Sequence, residues 1–236
     1  MHFRDRGIII AKRPLRENSA IITLFTEFHG VYSGVVRESS KKCGSVNQEG
    51  NMVDFFWQSR LHEHLGMAKC ELIKAYSSFL ITDKIKLYAF NSLISLIKIA
   101  FHERETHNNF FPILADYIHN LAQGFTFTEY IKVELAILQE SGYGLEINQC
   151  TVTGSNQDLY YISPKTGRAV CKNAGLAYHD KLLILPQFLI SNVATITNIE
   201  KQQAFDLTTY FFNRYFSQNN KLPSAREVFI TLAVTQ

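Results

Sequence analysis

The amino-acid sequence predicts an α+β protein of two domains, a small five-stranded β-barrel followed by a mainly α-helical domain with a turn-rich insertion. Three observations carry that prediction. Up to residue 76 the apolar residues fall in short β-branched runs bounded by turn residues, with no long helical period between them. From Ser78 onward the apolar spacing changes to three or four residues, the period of a helix. Between two of the later helical segments, residues 150–180 are rich in Gly, Asn, Ser and Thr. At roughly 150 residues per domain, the 236 residues hold one or two domains and can build a core without staples.

Residues 7–11 and 20–26 predict the first two strands. Glu27-Phe28-His29-Gly30 follows as a hairpin connection, with Gly30 free to take a positive φ. Residues 31–37 form the third strand, and Gly34 inside it marks a bulge or a barrel corner. Residues 38–51 are polar and read as a loop. Strand character resumes over 52–62 and 68–76, joined by a turn at 63–66. Five short strands without a long helix between them suit a closed antiparallel barrel.

The helical part begins with one long helix from Ser78, lined by Leu80, Ile85, Tyr88, Leu93, Leu96, Ile97 and Ala100. A second helix is predicted over 112–122, with Pro112 in its first turn. The third covers 127–140, started by Thr128 and Glu129 and stopped by Gly142 and Gly144. Residues 198–216 and 223–234 supply the last two. In the insertion, 158–170 predicts a strand, a turn from Pro164 to Gly167, and a return strand. The expected division is 1–77 and 78–236, with 148–181 as the insertion.

Composition excludes several classes. With 46% hydrophobic and 19% charged residues the chain is not intrinsically disordered. The net charge is only +3, but eight of the 24 basic residues lie up to Lys42 against four acidic ones, an asymmetry that favours a polyanionic partner. The charged opening Met1-His2-Phe3-Arg4-Asp5-Arg6 is unlike a secretion signal. The longest apolar stretch is broken by Asn91, Ser92, Ser95 and Lys98 and does not predict a membrane span. A cytosolic protein with reduced thiols is expected.

No enzyme is expected, because the sequence lacks the phosphate-binding, dinucleotide, nucleophile-elbow and His-Glu-x-x-His patterns. His62-Glu63-His64 offers two imidazoles, too few for a metal site. Glu103-Arg104-Glu105-Thr106-His107 is expected to solvate a helix end. More informative are the basic residues: Lys12 and Arg13 end the first strand, Arg16 lies in the turn after it, Arg37 ends the third strand, and Lys41 and Lys42 begin the loop. Small five-stranded barrels bind oligonucleotides across a face and its flanking loops, where such cations pair with phosphates. Of Phe25, Phe28, Tyr32, Phe55, Phe56 and Trp57, alternation sends about half into the core. Tyr32 and Trp57 are the rings expected to remain exposed for base stacking. Cys150-Thr151-Val152-Thr153 and Cys171-Lys172-Asn173-Ala174 outline two knuckles that each lack a second thiol. Structural zinc wants four ligands, so neither metal nor cofactor is expected.

Gly7-Ile8-Ile9-Ile10-Ala11-Lys12-Arg13, then Glu17, then Ile21-Ile22-Thr23-Leu24-Phe25-Thr26-Glu27-Phe28-His29-Gly30 resemble the opening of the bacterial recombination mediator family RecO. Leu138 to Gly142-Tyr143, the Cys150 knuckle remnant, Ser163-Pro164-Lys165-Thr166-Gly167-Arg168-Ala169 and Leu222-Pro223-Ser224-Ala225-Arg226 continue the resemblance, in the family's order, over essentially the whole chain. The resemblance implies an N-terminal OB-type barrel and a helical domain with a zinc-ribbon-like insertion, degenerate here because Thr153 and Ala174 stand where many members carry zinc cysteines.

It also implies a non-catalytic function. Such a protein binds single- and double-stranded DNA, anneals complementary strands and helps load the RecA recombinase onto strands coated by single-stranded DNA-binding protein. The implied partners are RecR and the acidic C-terminal tail of single-stranded DNA-binding protein, which docks on the helical domain; Lys132, Arg214 and Arg226 are the candidate contacts. The implied location is the bacterial cytoplasm, at the nucleoid during repair. An RNA-binding OB-fold accessory protein fits the same barrel, and an enzyme with a site of scattered residues on the helical domain is a third reading.

Overall fold

The structure, a computed structural model, describes residues 1–38, 41–61, 64–191, 195–217 and 221–235, and the side chains of Lys41, Lys42 and Cys43 lie outside the described residues. The chain forms two compact units, Met1–Phe90 with Phe101–Phe125, and Asn91–Ala100 with Thr126–Gln236.

In the first unit β1 (His2–Arg16), β2 (Ser19–Thr26), β3 (Gly30–Arg37), β4 (Met52–Gln58) and β5 (Gly66–Lys74) close a barrel in the order β1-β2-β3-β5-β4. All the predicted strands are present. The first is much longer than the 7–11 expected, because closing a barrel makes one strand serve two neighbours. Residues 2–8 of β1 pair with β4, and residues 7–16 pair with β2. The charges of Arg4, Asp5 and Arg6 hid its first half from the apolar pattern.

Gly34 does mark the closure. β3 and β5 pair there in parallel, at Gly34↔Gly66 and Val35↔Met67. A Cβ on Gly66 would come within 2.4 Å of the Trp57 indole, so the strands can meet only with glycine at this crossing. Inside, Ile9, Ile22, Leu24, Tyr32, Val36, Val53, Phe55 and Trp57 fill the core. Gly30 takes the expected positive φ of 71°.

Residues 38–51 are not all loop, since α1 (Lys41–Val46) lies within them. The single helix expected from Ser78 is two, α2 (Ser77–Ile81) and α3 (Lys84–Ala100). The break has a local cause: Asp83 Oδ1 accepts the Ile85 N–H at 2.9 Å, an N-cap that starts a new helix. The segment 103–107 does more than solvate a helix end. Glu103 Oε1 accepts from Ser33 Oγ at 2.8 Å, the Arg104 N–H donates to Val31 O at 2.8 Å, and the Arg104 guanidinium lies 5.5 Å from the Tyr32 ring. It docks on β3. α4 (Phe110–Gln123) completes this unit and holds Pro112 in its first turn.

The second unit contains α5 (Phe127–Glu140), α7 (Asn198–Phe216) and α8 (Ser224–Thr235), close to their predicted spans. The insertion folds β6 (Leu159–Ile162), β7 (Ala169–Cys171) and β8 (Leu183–Ile184) into a sheet of order β7-β6-β8, with α6 (Lys172–Gly175) after β7. Glu134 and Arg226 are fully buried among the three long helices, 0% and 1% exposed. Arg226 Nε donates to Glu134 Oε1 at 2.8 Å and Nη2 to Oε2 at 3.0 Å, a two-pronged pair. Tyr130, Thr208 and Thr209 complete the network at 2.7, 2.9 and 2.7 Å. Burial works against the Arg226 charge, and Glu134 offsets it, so its pKa stays above the ordinary value. Burial, followed by the Glu134 charge, holds the Tyr130 phenol well above its own.

Candidate nucleic-acid interface

Register decides which barrel cations face outward. Residues directly opposite in an antiparallel pair share a face. Arg13 lies opposite Ile21, which lies opposite Val35; Arg16 lies opposite Ser19, which lies opposite Arg37. The intervening Ala20, Ile22 and Val36 point into the core. Both rows therefore face outward, and the bulge between Pro14 and Arg16 is what returns Arg16 to the face that Arg13 occupies. The rows are two residues of β2 apart, about 7 Å at ~3.3 Å per residue. All three arginines are exposed and, among the described residues, none makes an ion pair. Ile21 and Val35 share the Arg13 row, and Thr23 and Ser33 continue the face beyond it, their hydroxyls joined at 2.9 Å.

Three other barrel cations are neutralised. Arg4 pairs with Asp54, Arg6 with Glu27 and Lys69 with Glu71, at 2.9, 2.8 and 2.7 Å. Lys12, expected among the phosphate contacts, sits opposite the core-facing Ile22, and its ammonium is 2.8 Å from Glu38 Oε1. It ties the barrel to the segment before α1 and presents no free charge. Lys41 and Lys42 side chains fall outside the described residues, as do His62 and Glu63.

The stacking expectation is corrected outright. Tyr32 and Trp57 are 6% and 2% exposed and pack edge-to-face at 5.3 Å in the core. The Trp57 Nε1–H donates to Ser33 O at 3.1 Å, so its polar edge is satisfied indoors. The outward rings are Phe28, 58% exposed, and Phe56, half-buried with the Arg4 guanidinium 4.7 Å and the Lys69 ammonium 5.9 Å from its centroid.

Of the candidate partner contacts, Arg226 is removed by its burial against Glu134. Lys132 and Arg214 are exposed; Arg214 donates to Pro164 O and lies 5.3 Å from the Tyr215 ring. The Glu134–Arg226 pair itself was missed, although the sequence carries a signal: a carboxylate in the stripe Tyr130, Ile131, Glu134, Ile137, Leu138 needs a buried partner.

The insertion brings two thiols together. Cys150 Sγ accepts the Cys171 N–H at 3.2 Å, and Thr153 Oγ1 lies 3.4 Å from Cys171 Sγ. Burial opposes a charged Cys150, yet hydrogen bonds from the Thr153 hydroxyl and the N–H groups of Cys171, Thr153 and Val152 bring its thiol down to about 6. Two thiols and a hydroxyl, with Ala174 in the remaining place, do not fit a four-ligand zinc site. Among the described residues no cluster of three or more His, Cys, Asp or Glu is placed to hold a metal ion.

Comparison with known proteins now decides the family. Residues 1–76 match the model for the recombination protein O N terminal domain, and residues 81–224 match that for the recombination protein O C terminal domain. The chain belongs to the RecO family. It is 58% identical over 230 residues to the DNA repair protein RecO of Rickettsia felis, covering 98% of this chain and 97% of the relative. Its identity to the RecO proteins of Rickettsia bellii and Rickettsia conorii is 57% and 56%, covering 98% of this chain and 95% and 97% of those relatives. The RecO N-terminal domain is of the OB type, as the closed barrel here is. These relatives are named for DNA repair and not for a catalysed reaction, in line with the non-enzymatic reading. No helix among the described residues is long and apolar enough to cross a membrane.

Proposed function

We propose that this RecO-family chain acts in recombinational repair as a non-catalytic mediator. It binds single- and double-stranded DNA, anneals complementary strands, and helps load RecA onto strands coated by single-stranded DNA-binding protein. The observation that carries the DNA reading is the outward set Arg13, Arg16 and Arg37 on one end of an OB-type sheet, three cations without acidic partners among the described residues. Lys41 and Lys42, next in the chain after β3, extend the proposed set. Annealing needs no covalent step: cations that neutralise phosphates lower the repulsion between two strands. Contacts to phosphates carry little sequence preference. RecR and the acidic tail of single-stranded DNA-binding protein are the proposed protein partners, with Lys132 and Arg214 as contacts for the tail. The site of action is the bacterial cytoplasm, at the nucleoid, and no metal is assigned to the insertion.

The test is a titration of the full chain with labelled single-stranded DNA at several salt concentrations, with structured RNA as competitor, and separately with the acidic tail peptide. Salt-dependent DNA binding that RNA does not displace, together with saturable peptide binding, is the expected result. Preference for RNA would turn the reading to an RNA-binding accessory protein. Binding of neither nucleic acid would overturn the DNA role.

A further inference from the structure

The ribbon-like insertion holds an arrangement that DNA binding does not use. Residues 146–151 run beside β7: the Ala169 N–H donates to Glu146 O, and the Thr151 N–H donates to Ala169 O, both at 2.9 Å. This pairing sets Cys150 against Cys171, whose N–H reaches the Cys150 sulfur at 3.2 Å and whose thiol is itself a hydrogen-bond neighbour of Cys150. The turn after Cys150 is closed by the Gly154 N–H on Cys150 O at 2.9 Å, with Gly154 at φ 72°, and it swings Thr153 Oγ1 over both sulfurs. Residues 151–154 that roof the pair are all exposed, so the sulfurs lie just beneath the surface.

We propose that Cys150 and Cys171 are a dithiol site that hydrogen peroxide closes to an intramolecular disulfide. The Cys150 thiolate attacks one peroxide oxygen; the O–O bond breaks, sulfur is oxidised to the sulfenic acid, and the leaving hydroxide takes a proton to give water. The Cys171 sulfur then attacks the sulfenic sulfur, the S–O bond breaks, and a second water leaves with the Cys171 proton. Two thiols and one peroxide thus give one disulfide and two waters. The local groups divide the roles. N–H donors and the Thr153 hydroxyl favour a thiolate at Cys150. The Thr153 hydroxyl pulls the same way at Cys171, but burial, the hydrogen bond to Cys150 and the Cys150 and Asp158 charges together hold that thiol above its ordinary value. A thiolate attacks and a nearby thiol resolves. Cys70 is a contrast in the same chain, its thiol pushed up to about 12 by burial.

The experiment treats the purified full chain with hydrogen peroxide, quenches it, blocks free thiols in denaturant, and maps peptides by mass spectrometry. The four thiols of the chain are expected to fall to two, with the Cys150 and Cys171 peptides joined and released by dithiothreitol. Cys171→Ser should stop at a sulfenic acid trapped at Cys150 by a dimedone-type reagent. Thr153→Val, which removes a donor and leaves both thiols, should slow wild-type closure severalfold. Four thiols surviving the peroxide, or a disulfide joining any other pair, would overturn the proposal. The wild-type peptide map decides this whether or not the variants fold.

Discussion

Replacing Arg13, Arg16 and Arg37 together by Gln tests the outward face of the barrel most directly. Each cation that neutralises a phosphate of a single strand contributes a salt slope of about −0.7 in log K against log salt. Three such contacts contribute about −2, and at about 0.15 M salt their loss lowers affinity on the order of 50-fold, roughly 2.4 kcal/mol. The assay is fluorescence anisotropy with a labelled single strand at several salt concentrations. Folding should survive, because none of the three side chains makes an ion pair among the described residues and all are exposed. Exposed substitutions of this kind shift stability by about 0.5 kcal/mol or less. If the variant keeps its thermal midpoint and the slope is unchanged, the register argument for this face is wrong. Lys12→Gln serves as the internal contrast: with its ammonium already engaged by Glu38, it should leave the slope nearly unchanged.

Arg226→Ala leaves Glu134 buried without its partner and should lower unfolding free energy by about 3–5 kcal/mol, read by urea titration. Glu134→Gln with Arg226→Met should recover much of that loss. Trp57, the sole tryptophan, should emit as a buried indole and keep its intensity when single-stranded DNA binds; quenching by DNA would contradict its place in the core. Gly66→Ala puts a methyl 2.4 Å from that indole and should destabilise the barrel by at least the ~1–3 kcal/mol of ordinary overpacking. In the reduced protein a thiolate absorbance step near pH 6 should vanish in Cys150→Ser. The folded value lies below the ordinary 9.0, so the stability lent by this thiolate is present above pH 9 and is lost as pH falls through about 6.

Local pattern made much of the molecule legible in advance. α5 follows from the start signals Thr128 and Glu129 and the stop at Gly142 and Gly144, and the bounds of β2 and β3 from β-branched runs between turn residues. β1 was half hidden because its first residues are charged and their partner, β4, is distant in sequence. The split between α2 and α3 was missed because Asp83 reads as a solvent-facing helix residue until its carboxylate is seen on the Ile85 N–H.

By itself, then, the sequence determined the order and type of the main elements, the basic weighting of the barrel, and the loss of two knuckle thiols, since each is a property of neighbouring residues. The tertiary structure alone decided which cations and rings face water. A strand turns every second side chain inward, and a single bulge reverses that phase. So Arg16 rejoins Arg13 outside while Lys12 is drawn to Glu38, and Tyr32 and Trp57 close on each other across the barrel. The pairing of Glu134 with Arg226, 92 residues apart, likewise exists only once the helices pack and leave each charge no water to turn to.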